Sequence, residues 1–211
     1  MSYSYGQIDN IFYNDGYQLA EKIIGNEVSN EKFRALTKEL FDNIDTLLDA
    51  FSFRVKNNNQ EIHCRRGCSW CCSQPVFTNE WEAEYLRDFM MRRFTCNKVS
   101  EIKKKAEDKN KTTSGLGKKE ILRTRILCPF LENNACSVYP ARPMACRIYL
   151  SSNLDSCIYD FNNPSDDKKY AQLYDFPLHA GRKMNEGIAA WLEGHEFEVR
   201  ELRLEEALGE R

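Results

Sequence analysis

The chain has 211 residues, of which 42% are hydrophobic and 29% are charged, and its formal net charge is −2. This length is enough to bury a hydrophobic core, so the cysteines are not needed as a substitute for one. The small net charge gives no general attraction for nucleic acid. The sequence lacks the roughly 20 consecutive apolar residues of a membrane span and the apolar run of a signal peptide. It therefore predicts a cytoplasmic protein with no membrane partner.

The first part of the chain is rich in tyrosine and phenylalanine but shows no long regular pattern. It predicts an N-terminal arm over residues 1–30, which is loose until a short helix at 19–24. The remainder, 31–211, is predicted to be a single helical domain with a cysteine-cluster core at 63–150.

A long amphipathic helix is predicted for residues 31–56. Its apolar residues, from Phe33 to Val55, recur at steps of three and four positions, which is the period of one helix face. Asn30 is the predicted N-cap of this helix. A further helix is predicted from residue 79, because Asn79 and Glu82 have the spacing of a capping box.

The second half of the chain also predicts helices. The lysine-rich stretch 98–125 predicts a short exposed helix capped by Ser100, followed by a break at 112–117. Its lysines have no aromatic residues among them, which argues against a single-stranded nucleic acid as a partner. The predicted fold class is mainly α, with cysteine-rich loops converging on a metal site. The remaining predicted helices lie at about 165–174, 179–192 and 198–208.

Two clusters of cysteine are the most informative feature of the sequence. One lies in HCRRGCSWCC at 63–72 and the other in CPFLENNACSVYPARPMACR at 128–147. In a chain without a secretion signal, thiols at this density are more typical of metal binding than of disulfides. The predicted metal ligands are Cys64, Cys68, Cys71, Cys72, Cys128, Cys136 and Cys146.

The identity of the metal is left with two main candidates. Thiolates bind zinc and the iron of iron–sulfur clusters. The spacing of Cys64, Cys68 and Cys71, with three and then two residues between them, favours an iron–sulfur cluster such as [4Fe–4S] over zinc. With Cys157 as an eighth thiol, the clusters suffice for two four-cysteine sites, or for one site with spare thiols. His63 is a further candidate ligand.

A centre of four thiolates carries negative charge, which nearby cationic side chains offset. Arg142 and Arg147 are the preferred candidates for this role, ahead of Arg65 and Arg66. Cys96 stands apart from both clusters and is predicted to be a packing residue.

These segments resemble the YkgJ-type cysteine-cluster family, a zinc- or iron-chelating domain. The resemblance rests on the compact cluster CRRGCSWCC at 64–72, on CPFL at 128–131 and on YPARPMACR at 139–147. One departure is that three residues, in place of two, separate Cys64 from Cys68. The resemblance implies metal binding. A branch of the family that contains flagellin lysine methylases is associated with iron–sulfur chemistry.

Two enzyme alternatives stay open. A metal-dependent enzyme, such as a protein lysine methyl transferase, needs an open coordination position and a cleft, which Tyr139, Arg142 and Tyr149 are candidates to line. The segment 64–71 also resembles the radical SAM motif, which implies a barrel of alternating strands and helices. The sequence shows no such alternation, and it has no phosphate-binding glycine loop, nucleophile elbow or dinucleotide fingerprint. It identifies no protein partner.

Overall fold

Helices dominate the part of the chain that the computed structural model describes, residues 5–209, so the prediction of a mainly α fold is confirmed. The helices are α1 (Tyr5–Ile24), α2 (Asn30–Asn57), α3 (Glu80–Arg93), α4 (Cys96–Thr113), α5 (Lys118–Arg123), α6 (Met144–Arg147), α7 (Leu154–Asn162), α8 (Asp175–Gly194) and α9 (Leu204–Gly209). The strands are β1 (Phe77–Asn79), β2 (Leu131–Glu132), β3 (Ala135–Cys136) and β4 (Glu201–Arg203). They form two antiparallel pairs, β1 with β4 and β2 with β3. Over residues 5–209, no helix combines the length and the apolar character needed to cross a lipid bilayer.

The main hydrophobic core lies between α1, α2 and α8. Leu36, Leu40 and Ile44 on one face of α2 are fully buried. They belong to the same apolar cluster as Ile24 of α1 and Ile188 of α8. Each large apolar side chain buried in this way contributes about 1.5–3 kcal/mol relative to exposure. The helix predicted for 31–56 and the burial of its apolar stripe are therefore confirmed.

The helices α1 and α8 approach each other through glycines on both sides. A Cβ atom placed on Gly16 of α1 would lie 2.0 Å from the backbone oxygen of Met184. A Cβ atom on Gly187 of α8 would lie 2.0 Å from the backbone oxygen of Tyr13. Each helix thus presents a glycine to the backbone of the other, and this contact leaves no room for a side chain at either position.

The prediction of a loose segment ahead of a short helix at 19–24 is wrong for the described residues, because α1 is continuous from Tyr5. Leu19 is buried in the main core, and Phe12 and Tyr17 pack against it. Contact with α8 therefore stabilises a helix that the local pattern did not indicate. Residues 1–4 lie outside the described part of the chain. The assignment of 31–211 to one domain stays a prediction.

A second apolar cluster joins α3, α4 and α9, and it corrects the prediction of a short exposed helix in the lysine-rich stretch. The helix α4 buries Ile102 and Ala106 against Leu86 of α3 and Leu208 of α9. Ile102 and Ala106 are four residues apart, so they lie on the same face of the helix, below the exposed lysines. Phe130, next to the β2–β3 pair, belongs to the same cluster.

Several predicted helix boundaries differ from the structure. The side chain of Ser29, not Asn30, caps α2, and that of Thr95, not Ser100, caps α4. In each case the hydroxyl accepts a hydrogen bond from the backbone N–H three residues later, which is the geometry of an N-cap. The predicted break at 112–117 is confirmed, because α4 ends within it, at Thr113, and α5 begins after it, at Lys118.

Two C-terminal predictions are wrong. Residues 165–174 form turns and an isolated bridge between Ser151 and Leu173, and the helix lies earlier, at α7. The first part of the helix predicted at 198–208 is instead strand β4, because pairing with β1 gives its backbone N–H and C=O groups hydrogen-bond partners. The helix α9 starts only at Leu204.

We expect Gly187→Ala to lower the free energy of unfolding by about 1–3 kcal/mol, because the added methyl group forces α1 and α8 apart. Urea denaturation measures this loss. Gly194→Ala is the matched control: the position is in the same helix, and a Cβ atom there meets nothing within 4 Å. It should leave stability unchanged or raise it by up to about 1 kcal/mol. Equal effects of the two substitutions would contradict the close contact.

Candidate metal centre

Backbone hydrogen bonds hold the two cysteine clusters side by side. The amide of Cys128 donates to the carbonyl oxygen of Cys72 at 2.7 Å. The amide of Ile126 donates to the carbonyl oxygen of Ser73 at 3.0 Å. These bonds join segments that are far apart in sequence, and they bring the end of the first cluster next to the start of the second.

The β2–β3 hairpin positions two cysteines of the second cluster. Cys136 lies in β3, opposite Leu131 in β2. Asn133 and Asn134 at the turn have φ angles of 50° and 59°. Two successive residues in this left-handed region make the tight turn that suits a two-residue hairpin, and asparagine tolerates it better than most residues. The hairpin thus returns the chain so that Cys136 comes back towards Cys128.

The sulfurs of Cys128 and Cys136 are held in equivalent ways. Burial raises the pKa of Cys128 to about 12 and also raises that of Cys136. The backbone amides of Phe130 and Val138, each two residues further along the chain, donate to these sulfurs and oppose that effect. Such N–H donors favour the thiolate, which is the form that binds metal. The local backbone is therefore arranged to stabilise charge on both sulfurs.

Four thiols form what we call the inner group: Cys72, Cys128, Cys136 and Cys146. Burial raises the pKa of Cys146, and the charges of the other three raise it further. The charges of Cys136 and Cys72 likewise raise the pKa of Cys128, and that of Cys72 raises the pKa of Cys136. Every pair in the inner group is therefore close enough for the two thiolates to repel each other. A bound cation would relieve that repulsion.

Three further thiols form what we call the outer group: Cys64, Cys68 and Cys157. The backbone amide of Ser151 donates to the sulfur of Cys64 at 3.2 Å. The thiol of Cys157 donates to the side-chain oxygen of Ser151 at 3.1 Å. Charge interactions link Cys68 to both of these cysteines. The candidate ligand His63 reaches this region through its backbone amide, which donates to the carbonyl oxygen of Ser151 at 3.0 Å.

Cys71 lies between the two groups. It shares the 3₁₀ turn Trp70–Ser73 with Cys72. The Cys71 thiol donates a hydrogen bond to the Cys72 sulfur, which raises the pKa of Cys71 and lowers that of Cys72. The charges of Cys146 in the inner group and of Cys64 in the outer group also raise the pKa of Cys71.

Arg142 is the cation that serves both groups. Its charge lowers the pKa of Cys64, which burial raises, and it acts in the same way on Cys136 and Cys146. The guanidinium stacks on Tyr139, with its central carbon 3.8 Å from the ring centroid. Of the two arginines preferred as charge compensators, Arg142 has the position that the role requires.

Arg147 has a different role. Its side chain is only 2% exposed, and its guanidinium pairs with Asp45 at 2.5 Å. Its Nε donates to the carbonyl oxygen of Arg142 at 2.9 Å, and the guanidinium lies over the ring of Phe41. Arg147 therefore fixes the loop that leads to Cys146 rather than facing the thiols. The other two candidate arginines, at positions 65 and 66, are exposed.

All nine cysteines have free thiols, and all lie within the described residues. Cys96 is exposed at the start of α4 and stands apart from both groups, so the prediction that it packs in the core is wrong. Within residues 5–209, no three histidine, cysteine, aspartate or glutamate side chains are already grouped as an ion site.

Two cavities adjoin the thiols. One, of about 500 Å³, is lined by residues that include Cys146 and Tyr149. The other, of about 650 Å³, is lined by residues that include Cys64, Tyr139 and Arg142. The three residues predicted to line one cleft thus lie in two separate cavities, one beside each group of thiols.

Comparison with known proteins agrees with this chemistry. A family model for a zinc- or iron-chelating domain matches residues 63–172, which is more than half of the chain. The match includes every cysteine of both groups. No curated protein and no solved structure matched the chain. The chain belongs to the family described as "CxxCxxCC: Putative zinc- or iron-chelating domain", and this membership supports a metal-binding role.

Proposed function

We propose that this protein holds an iron–sulfur cluster through its cysteine thiolates, with zinc as the alternative occupant. The seven predicted ligands are all retained in this proposal. The observation that carries it is the inner group, in which four largely buried thiols are all within electrostatic range of one another. Without a bound cation, ionising all four of these thiols together costs free energy, because the resulting thiolates repel one another. Reduced thiols at this density suit the cytoplasm, where we place the protein.

The donor set fits either metal. Four cysteine thiolates are the usual ligands of [4Fe–4S] clusters and are also a common set for structural zinc. A zinc ion or an iron–sulfur cluster would cross-link the two cysteine loops, and an iron–sulfur cluster would also support electron transfer. The protein contributes the backbone donors at Phe130 and Val138, the charge of Arg142, and shielding from water by the buried side chains of Phe130 and Val138.

A metal-dependent enzyme, such as a protein lysine methyl transferase, is the second candidate. The cavity beside Cys146 favours it, because about 500 Å³ is within the range of small-molecule sites. The carboxylate of Glu82 also borders this cavity, and its burial raises its pKa. However, its oxygens already accept hydrogen bonds from Thr78, Asn185 and the amide of Met144. Because protein donors occupy Glu82, we rank the binding protein first.

The number of protein ligands separates these two candidates. Four cysteines on one metal centre close it and favour the binding protein, whereas three leave the open position that an enzyme requires. A radical SAM enzyme has less support. The strands within residues 5–209 form two separate antiparallel pairs and not the barrel which that family builds.

Protein purified without oxygen should contain metal. We expect a brown solution with iron and acid-labile sulfide in equal amounts; a colourless solution with zinc would identify the alternative occupant. Cys146→Ser should reduce the metal content, because it removes an inner-group sulfur, whereas Cys96→Ser should not. Elemental analysis and the visible absorption spectrum measure both. A wild-type protein that binds neither iron nor zinc, even after reconstitution, would refute the proposal.

Removing the metal should loosen the cysteine loops more than the helical core. Zinc binding contributes roughly 10–16 kcal/mol in zinc-finger peptides, comparable to the stability of a whole domain. Hydrogen exchange measured with and without chelator should therefore rise most at residues 63–76 and 124–150. Amides of α2 and α8, which belong to the main core, should change least. An unchanged exchange pattern and an unchanged melting temperature would contradict this expectation.

Arg142→Gln should weaken metal binding by about 10–100-fold, the usual effect of removing a group that supports metal ligands. The loss follows because three thiolates lose the cation that offsets their charge. Competition with a chromogenic chelator measures the affinity. Arg66→Gln is the control, since it removes the same charge from an exposed position in the first cluster. If both variants compete like the wild type, Arg142 has no role in charge compensation.

A further inference from the structure

We infer that the chain builds two metal centres and that Cys157 is a ligand of the second. The inner group supplies the first centre. The outer group, together with Cys71, supplies the second, which takes the same class of thiolate-binding metal, zinc or an iron–sulfur cluster. This inference rests on the proposed function and adds the number of centres and the division of the ligands between them.

The strongest geometric support is that one buried serine, Ser151, contacts two sulfurs of the outer group. Ser151 binds the sulfur of Cys64 through its amide and that of Cys157 through its hydroxyl, at 3.2 and 3.1 Å. Its own hydroxyl lies within hydrogen-bond distance of the carbonyl oxygens of Asn153 and Gln172, at 2.9 and 3.1 Å. Ser151 has only 1% of its surface exposed, and it contacts both sulfurs although Cys64 and Cys157 are 93 positions apart in the sequence.

The packing of α7 positions the segment that carries Cys68, the third cysteine of the outer group. The ring of Trp70, in the 3₁₀ turn, meets the ring of Phe161 in α7 edge to face, with centroids 5.2 Å apart. Just before that turn, the amide of Cys68 donates to the carbonyl oxygen of Arg65 at 3.0 Å. Gly67 has a φ angle of 91°, so this reversal needs glycine. The turn therefore packs against the helix that carries Cys157, and Cys68 lies two residues before the contact that Trp70 makes.

The ligand count assigns the remaining cysteine of the first cluster. Four cysteines are the usual ligand set for a structural zinc ion or a [4Fe–4S] cluster. The inner group already has four sulfurs and the outer group has three. Cys71, the one cysteine of the first cluster that lies in neither group, therefore completes the outer centre.

A simple packing role for Cys157 accounts for less of this arrangement. A buried free cysteine behaves as a small apolar residue with a weak donor. Such a residue does not need a buried serine that it shares with the thiol of Cys64. A bound metal would use that shared position, because it would take the place of the thiol protons.

The test is the metal content of the full-length chain, purified without oxygen and measured by native mass spectrometry. We expect about eight iron atoms, for two [4Fe–4S] clusters, or two zinc ions. Cys157→Ser should retain half of the metal, and Cys136→Ser should retain the other half. Cys96→Ser, which lies in neither group, should retain all of it. Circular dichroism checks that each variant keeps its helices.

The outcomes separate the inference from the proposal beneath it. A wild-type protein without metal would overturn both. Metal for one centre only, with no loss in Cys157→Ser, would overturn the second centre and leave the proposed function intact. If Cys157→Ser fails to fold, alkylation of the wild-type protein decides. Cys157 should resist modification when metal is bound and react after chelation, while Cys96 reacts in both states. Equal protection of Cys157 before and after chelation would refute its role as a ligand.

Discussion

The cost of ionising neighbouring buried thiols is the constraint that residues 63–157 place on metal binding. Two cysteine loops are held together by backbone hydrogen bonds such as that from Cys128 to Cys72, although burial makes the negative charge that they share costly. The protein offsets part of this cost with amide donors to the sulfurs and with the charge of Arg142. The remainder is what a bound metal would remove. The same groups thus make the apo protein unfavourable to ionise and well suited to bind a cation.

The helical core and the cysteine loops are connected through one buried carboxylate. Glu82, at the start of α3, accepts hydrogen bonds from the amide of Met144 and from Asn185 of α8. Met144 begins the short helix that carries Cys146. Burying a carboxylate is expensive unless donors satisfy it, and here the donors come from the core and from the metal-binding loop together. Glu82 therefore fixes the position of one inner sulfur relative to the main core without touching that sulfur.

Sequence periodicity was sufficient for the elements whose own residues determine them. The stripe of α2 and the capping-box spacing of Asn79 and Glu82 predicted α2 and α3 correctly. Only the last part of α1, at 19–24, was predicted, because the order of the rest comes from glycine contacts with α8, which no local pattern records. Likewise, sequence alone did not distinguish the roles of the two arginines, although Arg147 is adjacent to Cys146 and Arg142 lies four residues before it. Tertiary contacts with Asp45 and Phe41, and the hydrogen bond to the carbonyl oxygen of Arg142, hold the Arg147 side chain away from the thiols.

The adjacent cysteines at the end of the first cluster are best explained by the turn that holds them. Trp70–Ser73 is a 3₁₀ turn, in which there are three residues per turn and successive side chains point about 120° apart. The Cys71 thiol nevertheless stays within hydrogen-bond reach of the Cys72 sulfur. The charge of Cys72 acts on the inner thiols of Cys128 and Cys136, whereas Cys71 interacts with Cys146 and, more weakly, with Cys64. The pair Cys71-Cys72 is thereby the covalent link between the two groups.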